Sequence, residues 1–281
     1  MPYKTVVVHL NNDQRVAQLL SAALQIALPD SAHLTGLFVV PHVAHRPSLF
    51  PALTQASLKQ LTAAYQLMGE DIHRAFIAAT ANLPIAAEWR THRAADRSYA
   101  GAVIAHARAA DLVVTAQKES DWEYSDVFDI PDWLAVESGR PVLIVPRSGL
   151  QLPLTERVLV AWNNSRESAR AVFDALPVLV RAKEVRVVCI EEPDKPLTLI
   201  ESPAAAICTT LARYGVKCHA VHLPNPLRAC AGDLLLSEAA TRQCGLLIMG
   251  CFGRSRLREF ILGGASQHLL KHATVPVLMA R

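Results

Sequence analysis

Leu246-Leu247-Ile248-Met249-Gly250-Cys251-Phe252-Gly253, then a nine-residue spacer, then Gly263-Gly264-Ala265-Ser266, is the stretch on which the reading of this chain turns. An apolar run leads into a glycine-punctuated loop, and the helix-like segment Gln267 to His272 follows. That order reads as strand, loop, helix start. The first N–H groups of a helix are unpaired and carry partial positive charge, so they suit an anion. Glycines let the backbone approach a phosphate with no Cβ in the way. Arg254, Arg256 and Arg258 lie between the two glycine groups. The physical reading is a phosphate cradle at the carboxyl end of a strand.

Outward from this stretch, the chain reads as two copies of one plan. In the first half, strand-like runs fall at 5–10, 37–40, 86–92, 111–114 and 141–145, with helical spacing over 13–27, 58–79 and 98–109. In the second half, strands are expected at 158–161, 185–190, 216–222, 246–249 and 275–279, with helices at 167–179, 203–214, 234–243 and 266–272. Strands alternating with helices imply right-handed crossovers and a parallel sheet. Arg147 to Pro153 reads as the linker, which gives domains over 1–148 and 154–281. The fold class expected is α/β: two tandem flavodoxin-like domains, each a five-stranded, mainly parallel sheet flanked by helices. Ligand chemistry belongs at the carboxyl ends of the strands.

The glycine spacing resembles the nucleotide motif of the universal stress protein family. Val158-Leu159-Val160-Ala161-Trp162-Asn163-Asn164-Ser165 looks like that family's first strand and turn, and Thr274-Val275-Pro276-Val277-Leu278-Met279 like its last strand. The resemblance implies an adenine nucleotide-binding fold of the alpha hydrolase-like kind, and ATP as ligand with Mg²⁺ on its phosphates. It places Ala161 and Asn163 beside adenine and ribose and Ile190 along the adenine pocket. Met249 and Gly250 fall under the ribose, and Gly253, Gly263, Gly264, Ala265 and Ser266 on the phosphates. The family often has Asp where Asn163 stands, and Ser or Thr where Gly264 stands. The Asn163 amide still accepts and donates hydrogen bonds but lacks the charge, whereas the hydroxyl missing at Gly264 lowers the expected affinity and puts a triphosphate preference in question.

The first half lacks this motif. Its corresponding loop, Ala116 to Asp129, has no glycine and carries Glu119, Asp121, Glu123, Asp126 and Asp129 against Lys118 alone. Counting back from the terminal strands puts Phe128-Asp129 where the second half has Gly263-Gly264. Like charge repels phosphate in a partly dry pocket, so this half should not take a polyphosphate, whether or not the loop is simply a solvated acidic one.

Composition excludes other classes. The net charge is +3, with no aromatic-interleaved basic patch, so nucleic acid is not an expected partner. No stretch reaches the roughly 20 apolar residues of a membrane span. Met1-Pro2-Tyr3-Lys4 leads straight into a strand without a signal-peptide core, which makes the cytoplasm the expected location. The six cysteines, Cys189, Cys208, Cys218, Cys230, Cys244 and Cys251, include no C-x-x-C pair and read as packed reduced thiols. Cys251, inside the loop, reads as a small loop residue, the alternative being a redox thiol whose pKa a helix-start field lowers. His268 and His272 have zinc-like spacing but no third ligand nearby in sequence, so they read as helix-end histidines and no metal site is expected. His219 and His222, three apart on a strand, face opposite ways. Glu191 and Glu192 follow the second strand of that half, near a ribose or in a solvated turn.

No nucleophile or triad signature commits the chain to catalysis. The expectation is a stress-associated regulatory protein that binds ATP in its C-terminal half. It is not an enzyme, or at most a very slow ATPase. The alternative is a nucleotide-independent scaffold for partner proteins. Each half ends in an apolar strand, Val142–Val145 and Val275–Met279, which would be an unprotected sheet edge. Mutual cover predicts an intramolecular pseudo-dimer of the two halves, with a homodimer of the tandem also open.

Overall fold

The computed structural model describes residues 2–42, 54–94, 98–191, 203–251 and 264–281. The first half runs β1 (Thr5–His9), a 3-10 turn (Asp13–Arg15), α1 (Val16–Asp30), β2 (His33–Val40), α2 (Gln55–Thr80), β3 (Ala87–Arg93), α3 (Tyr99–Ala107), β4 (Leu112–Ala116), α4 (Ser125–Phe128), α5 (Pro131–Glu137) and β5 (Val142–Val145). The second runs β6 (Arg157–Ala161), α6 (Arg166–Asp174), α7 (Leu176–Leu179), β7 (Glu184–Ile190), α8 (Pro203–Ala212), β8 (Cys218–Leu223), α9 (Ala231–Thr241), β9 (Leu246–Gly250), α10 (Gly264–His272) and β10 (Val277–Ala280).

Local chemistry explains where these elements depart from the sequence reading. β2 begins at His33 rather than Leu37. Gly36 weakens the strand signal, yet it is required there, because a Cβ would sit 2.6 Å from the Phe76 ring. The helix expected over 167–179 is two helices. Ser165 caps α6 in a reciprocal box with Ser168, and the break falls at Ala175, just ahead of Pro177, which has no N–H to continue the ladder. α4 and α5, unforeseen, arise within and after the acidic loop, with Pro131 opening α5.

All ten strands form one sheet in the order β3-β2-β1-β4-β5-β10-β9-β6-β7-β8. Each half contributes five parallel strands, as expected, and the halves meet through β5 and β10, which are antiparallel. The pairs there are Val277 with Ile144, Leu278 with Leu143 and Met279 with Val142. Counting along the ladders makes Val142 the counterpart of Val277, Leu143 of Leu278 and Ile144 of Met279. Exchanging the halves therefore maps this register onto itself, with Leu143 and Leu278 at the centre. The apolar edges cover each other.

Buried side chains line both faces of the sheet. On one face α1, α2, α6, α7 and α8 pack over Val6, Val8, Leu143 and Leu278. On the other, α3, α5, α9 and α10 pack over Val7, Val142, Val277 and Met279. Polar links also join the halves: the Tyr3 hydroxyl donates to the Asp174 carbonyl at 2.6 Å, and Arg181 pairs with Asp30 at 2.6 Å.

Candidate functional site

In the second half the chain leaves β6 for β7 and β8 on one side, then returns to β9 and β10 on the other. The order reverses between β6 and β9, and an open α/β sheet leaves a crevice at that point, beyond the strand ends. Ala161 closes β6 in register with Met249 of β9, Gly250 ends β9, and Ile190 ends neighbouring β7. Asn163 is exposed in the turn beyond Ala161, where its side-chain oxygen accepts from the Ser165 N–H at 3.2 Å. Gly264 and Ala265 open α10, and no described atom lies within 4 Å of a Cβ built on Gly264. Gly253, Gly263 and the three loop arginines, like Glu192, lie outside the described residues.

Two assigned residues have different surroundings from those the motif suggests. Ser266 is 3 % exposed and shares the buried side of α10 with Leu269 and Leu270, so its hydroxyl is not displayed to solvent. Gly250 is glycine for a packing reason: a Cβ would lie 2.4 Å from the backbone of Glu167 and Ser168, so its absence lets the start of α6 sit against β9. Glu191, after β7, stands 3.5 Å from His222, while His219 faces Glu184 at 3.6 Å, so the two histidines diverge as expected.

The same crevice in the first half lies between β1 and β4, and it is filled. Register makes His9 the counterpart of Ala161, Asn11 of Asn163 and Thr115 of Met249. His9 is fully buried, with Nδ1 3.1 Å from the Thr115 hydroxyl and Nε2 2.7 Å from the Tyr99 hydroxyl. Asn11 donates to the Asp129 carboxylate at 2.8 Å and to the Phe128 carbonyl at 3.2 Å. Asp129 also accepts from the Glu119 N–H at 2.8 Å, and burial pushes its carboxyl above the usual carboxylate range. The Phe128 ring is fully buried among Phe38, Tyr65, Tyr99 and Trp122. Arg15 pairs with Glu119 and donates to the carbonyls of Val145 and Pro146, which ties the acidic loop to the end of β5. The loop is thus anchored at both ends and is not merely solvated.

Residues 227–281 match the family model described as the universal stress protein family, a segment that includes the whole glycine loop. A universal stress protein from Archaeoglobus fulgidus superposes with a TM-score of 0.71 at 14% identity, covering 99% of this chain and 96% of that one. A functionally unknown protein from Pseudomonas aeruginosa superposes with a TM-score of 0.61 at 20% identity, covering 99% and 92%. The chain has the universal stress protein fold. The resemblance read from the glycine spacing and the two flanking strands is therefore borne out, by family model over the last segment and by fold over the whole length. No curated protein matches the chain. No helix among the described residues is long and apolar enough to cross a membrane.

Within this universal stress fold, Cys251 does not have the reactivity that a helix-start field suggests. Burial pushes its thiol up to about 12, and its Sγ donates to the Ala135 carbonyl of α5 at 3.3 Å. Desolvation of the thiolate outweighs the helix-start field, and Cys251 is an inert contact between the halves.

His9 escaped the sequence reading, although laying Val8-His9 over Val160-Ala161 would have exposed a bulky ring in place of a methyl. Burial drives its pKa down to about 3. The unfolded chain takes up that proton below about pH 6.5, so the fold loses stability as pH falls through the window between the two values. Going from pH 7 to pH 5 should cost about 2 kcal/mol through this group at roughly 1.4 kcal/mol per pH unit. Urea midpoints at the two pH values should therefore converge in a His9→Gln variant. An unchanged gap would show that His9 is not the titrating group.

Proposed function

We propose that this protein is a stress-associated regulator whose second half binds one adenine nucleotide, ATP with Mg²⁺ on its phosphates, in the crevice between β6 and β9. The observation that carries the reading is the contrast between counterpart positions. Asn163 is exposed beside the small Ala161, whereas Asn11 is bonded to Asp129 beside the His9 ring. Adenine as the base rests on the universal stress resemblance, with Ile190 and Ala161 against the ring and Met249 and Gly250 under the ribose. By the same resemblance Gly253, Gly263 and Gly264, with Ala265 at the start of α10, belong to the phosphates. Positive helix-start charge and the loop arginines supply the attraction.

Residues 1–148 and 154–281 act as two units in this reading. The first is a degenerate partner and the pair is an intramolecular pseudo-dimer, supported by the self-symmetric β5–β10 register. Occupancy of the live crevice then shifts loop order or affinity for a partner, which requires only that nucleotide bind one state better than the other. The protein works in the cytoplasm, as the tandem or as its homodimer, without membrane or nucleic acid. It is a switch and not an enzyme, with ATP turnover at most incidental.

A second reading, a nucleotide-independent scaffold, is favoured by Gly264 in the hydroxyl position and by the burial of Ser266. Calorimetric titration of the full chain with Mg-ATP separates the two: one site per chain supports the switch, and no heat supports the scaffold.

A further inference from the structure

A cluster outside the nucleotide crevice brings together donors that lie far apart in sequence. Cys230 precedes α9, Asp233 lies in its first turn, and His268 comes from the middle of α10. The Cys230 thiol, an Asp233 carboxylate oxygen and a His268 ring nitrogen all lie within 4.8 Å of one another. His268 Nε2 is 2.8 Å from Asp233 Oδ1. The approach is built into the backbone. A Cβ at Gly232 would sit 2.8 Å from the Cβ of His268, so glycine is what lets α10 come this close to α9. His268 finds its company on α9, and not only in His272, whose ring centroid is 4.6 Å away. The third ligand missing from the local sequence is supplied by the fold.

We propose that Cys230, Asp233 and His268 bind a Zn²⁺ ion that clips α9 to α10. Thiolate, imidazole and carboxylate are the zinc donor set, at about 2.3, 2.0–2.1 and 2.0–2.2 Å respectively. Donors on one tetrahedral ion at those distances are roughly 3.3–3.6 Å apart. The three atoms reach this by side-chain rotation, with the Asp233–His268 contact opening to admit the ion. On binding, the Cys230 thiol gives its proton to solvent and the imidazole enters neutral. The side chain of Asp233 is 61 % exposed and that of His268 22 %, so the ion has a path in and the fourth position is open to water. Because α10 begins at Gly264, one turn before His268, the clip anchors the helix whose start carries the phosphate-binding N–H groups.

The test uses the full chain stripped with a chelator and titrated with Co²⁺, then with Zn²⁺. One equivalent of Co²⁺ should give tetrahedral visible bands with a thiolate charge-transfer band in the near ultraviolet, and Zn²⁺ should displace both. Cys230→Ser should abolish the charge-transfer band. Asp233→Asn should keep that band but weaken affinity by at least the roughly 10–100-fold that losing even a supporting partner costs. Cys208→Ser, at a thiol elsewhere in the fold, should leave spectrum and affinity unchanged. Absence of one-equivalent binding overturns the proposal. So does a charge-transfer band that survives Cys230→Ser, or one that disappears in Cys208→Ser.

Discussion

An Ala161→His variant is expected to lose nucleotide binding, with affinity falling at least about 100-fold, or about 2.7 kcal/mol. The substitution copies into the second half the ring that His9 places in the first. Ala161 ends β6 at the reversal of strand order, and it carries a methyl where the first half carries the His9 ring. In the first half the imidazole is absorbed by hydroxyls of Thr115 and Tyr99. In the second, Met249 stands at the Thr115 position and its thioether offers no comparable hydroxyl, so the ring is expected to enter the crevice. The residue is half-buried at a strand end, and the fold should tolerate the change. Calorimetry with Mg-ATP, beside circular dichroism to confirm folding, reads the outcome. Affinity within a few-fold of the unaltered chain would place the ligand elsewhere.

Leu278→Asp should be the most destabilising single substitution at the junction of the halves, costing about 4 kcal/mol or more. Leu278 is fully buried, pairs with Leu143 at the centre of the β5–β10 register, and packs under the helices of one face. A carboxylate there sits in an apolar cluster and must either take up a proton or open the seam. Urea denaturation measures the loss. A cost below about 1 kcal/mol would mean that the junction contributes little to holding the chain together, against the weight a buried, two-sided strand pair should carry.

The apolar runs of β1, β4, β6 and β9 are legible because both faces of a central parallel strand are buried, which leaves an uninterrupted apolar signal. The pairing of β5 with β10 was legible from the hazard of an apolar edge. What the sequence hid was long-range. Gly36 reads as a strand breaker until the Phe76 ring is seen filling its missing side chain. Gly250 reads as a ligand glycine, and only the structure shows that it also has a packing reason, the start of α6 lying against it. His9, Asp129 and Arg15 lie more than a hundred residues from some of their partners, so no local pattern announces that together they close the first crevice. Counting from the terminal strands places Phe128-Asp129 as an obstruction. The structure gives it a mechanism, with the carboxylate on Asn11 and the ring in an aromatic cluster. Cys230, Asp233 and His268 meet only because Gly232 lets two helices approach.

The first crevice is filled and the second is the proposed nucleotide site, and the stoichiometry of Mg-ATP binding to the full chain tests that asymmetry most directly. Isothermal titration should give one site per chain, and its signal should vanish in Ala161→His. Two equivalent sites would contradict the closure of the first crevice by His9, Phe128 and Asp129, and no binding at millimolar ATP would contradict the nucleotide site proposed for the second.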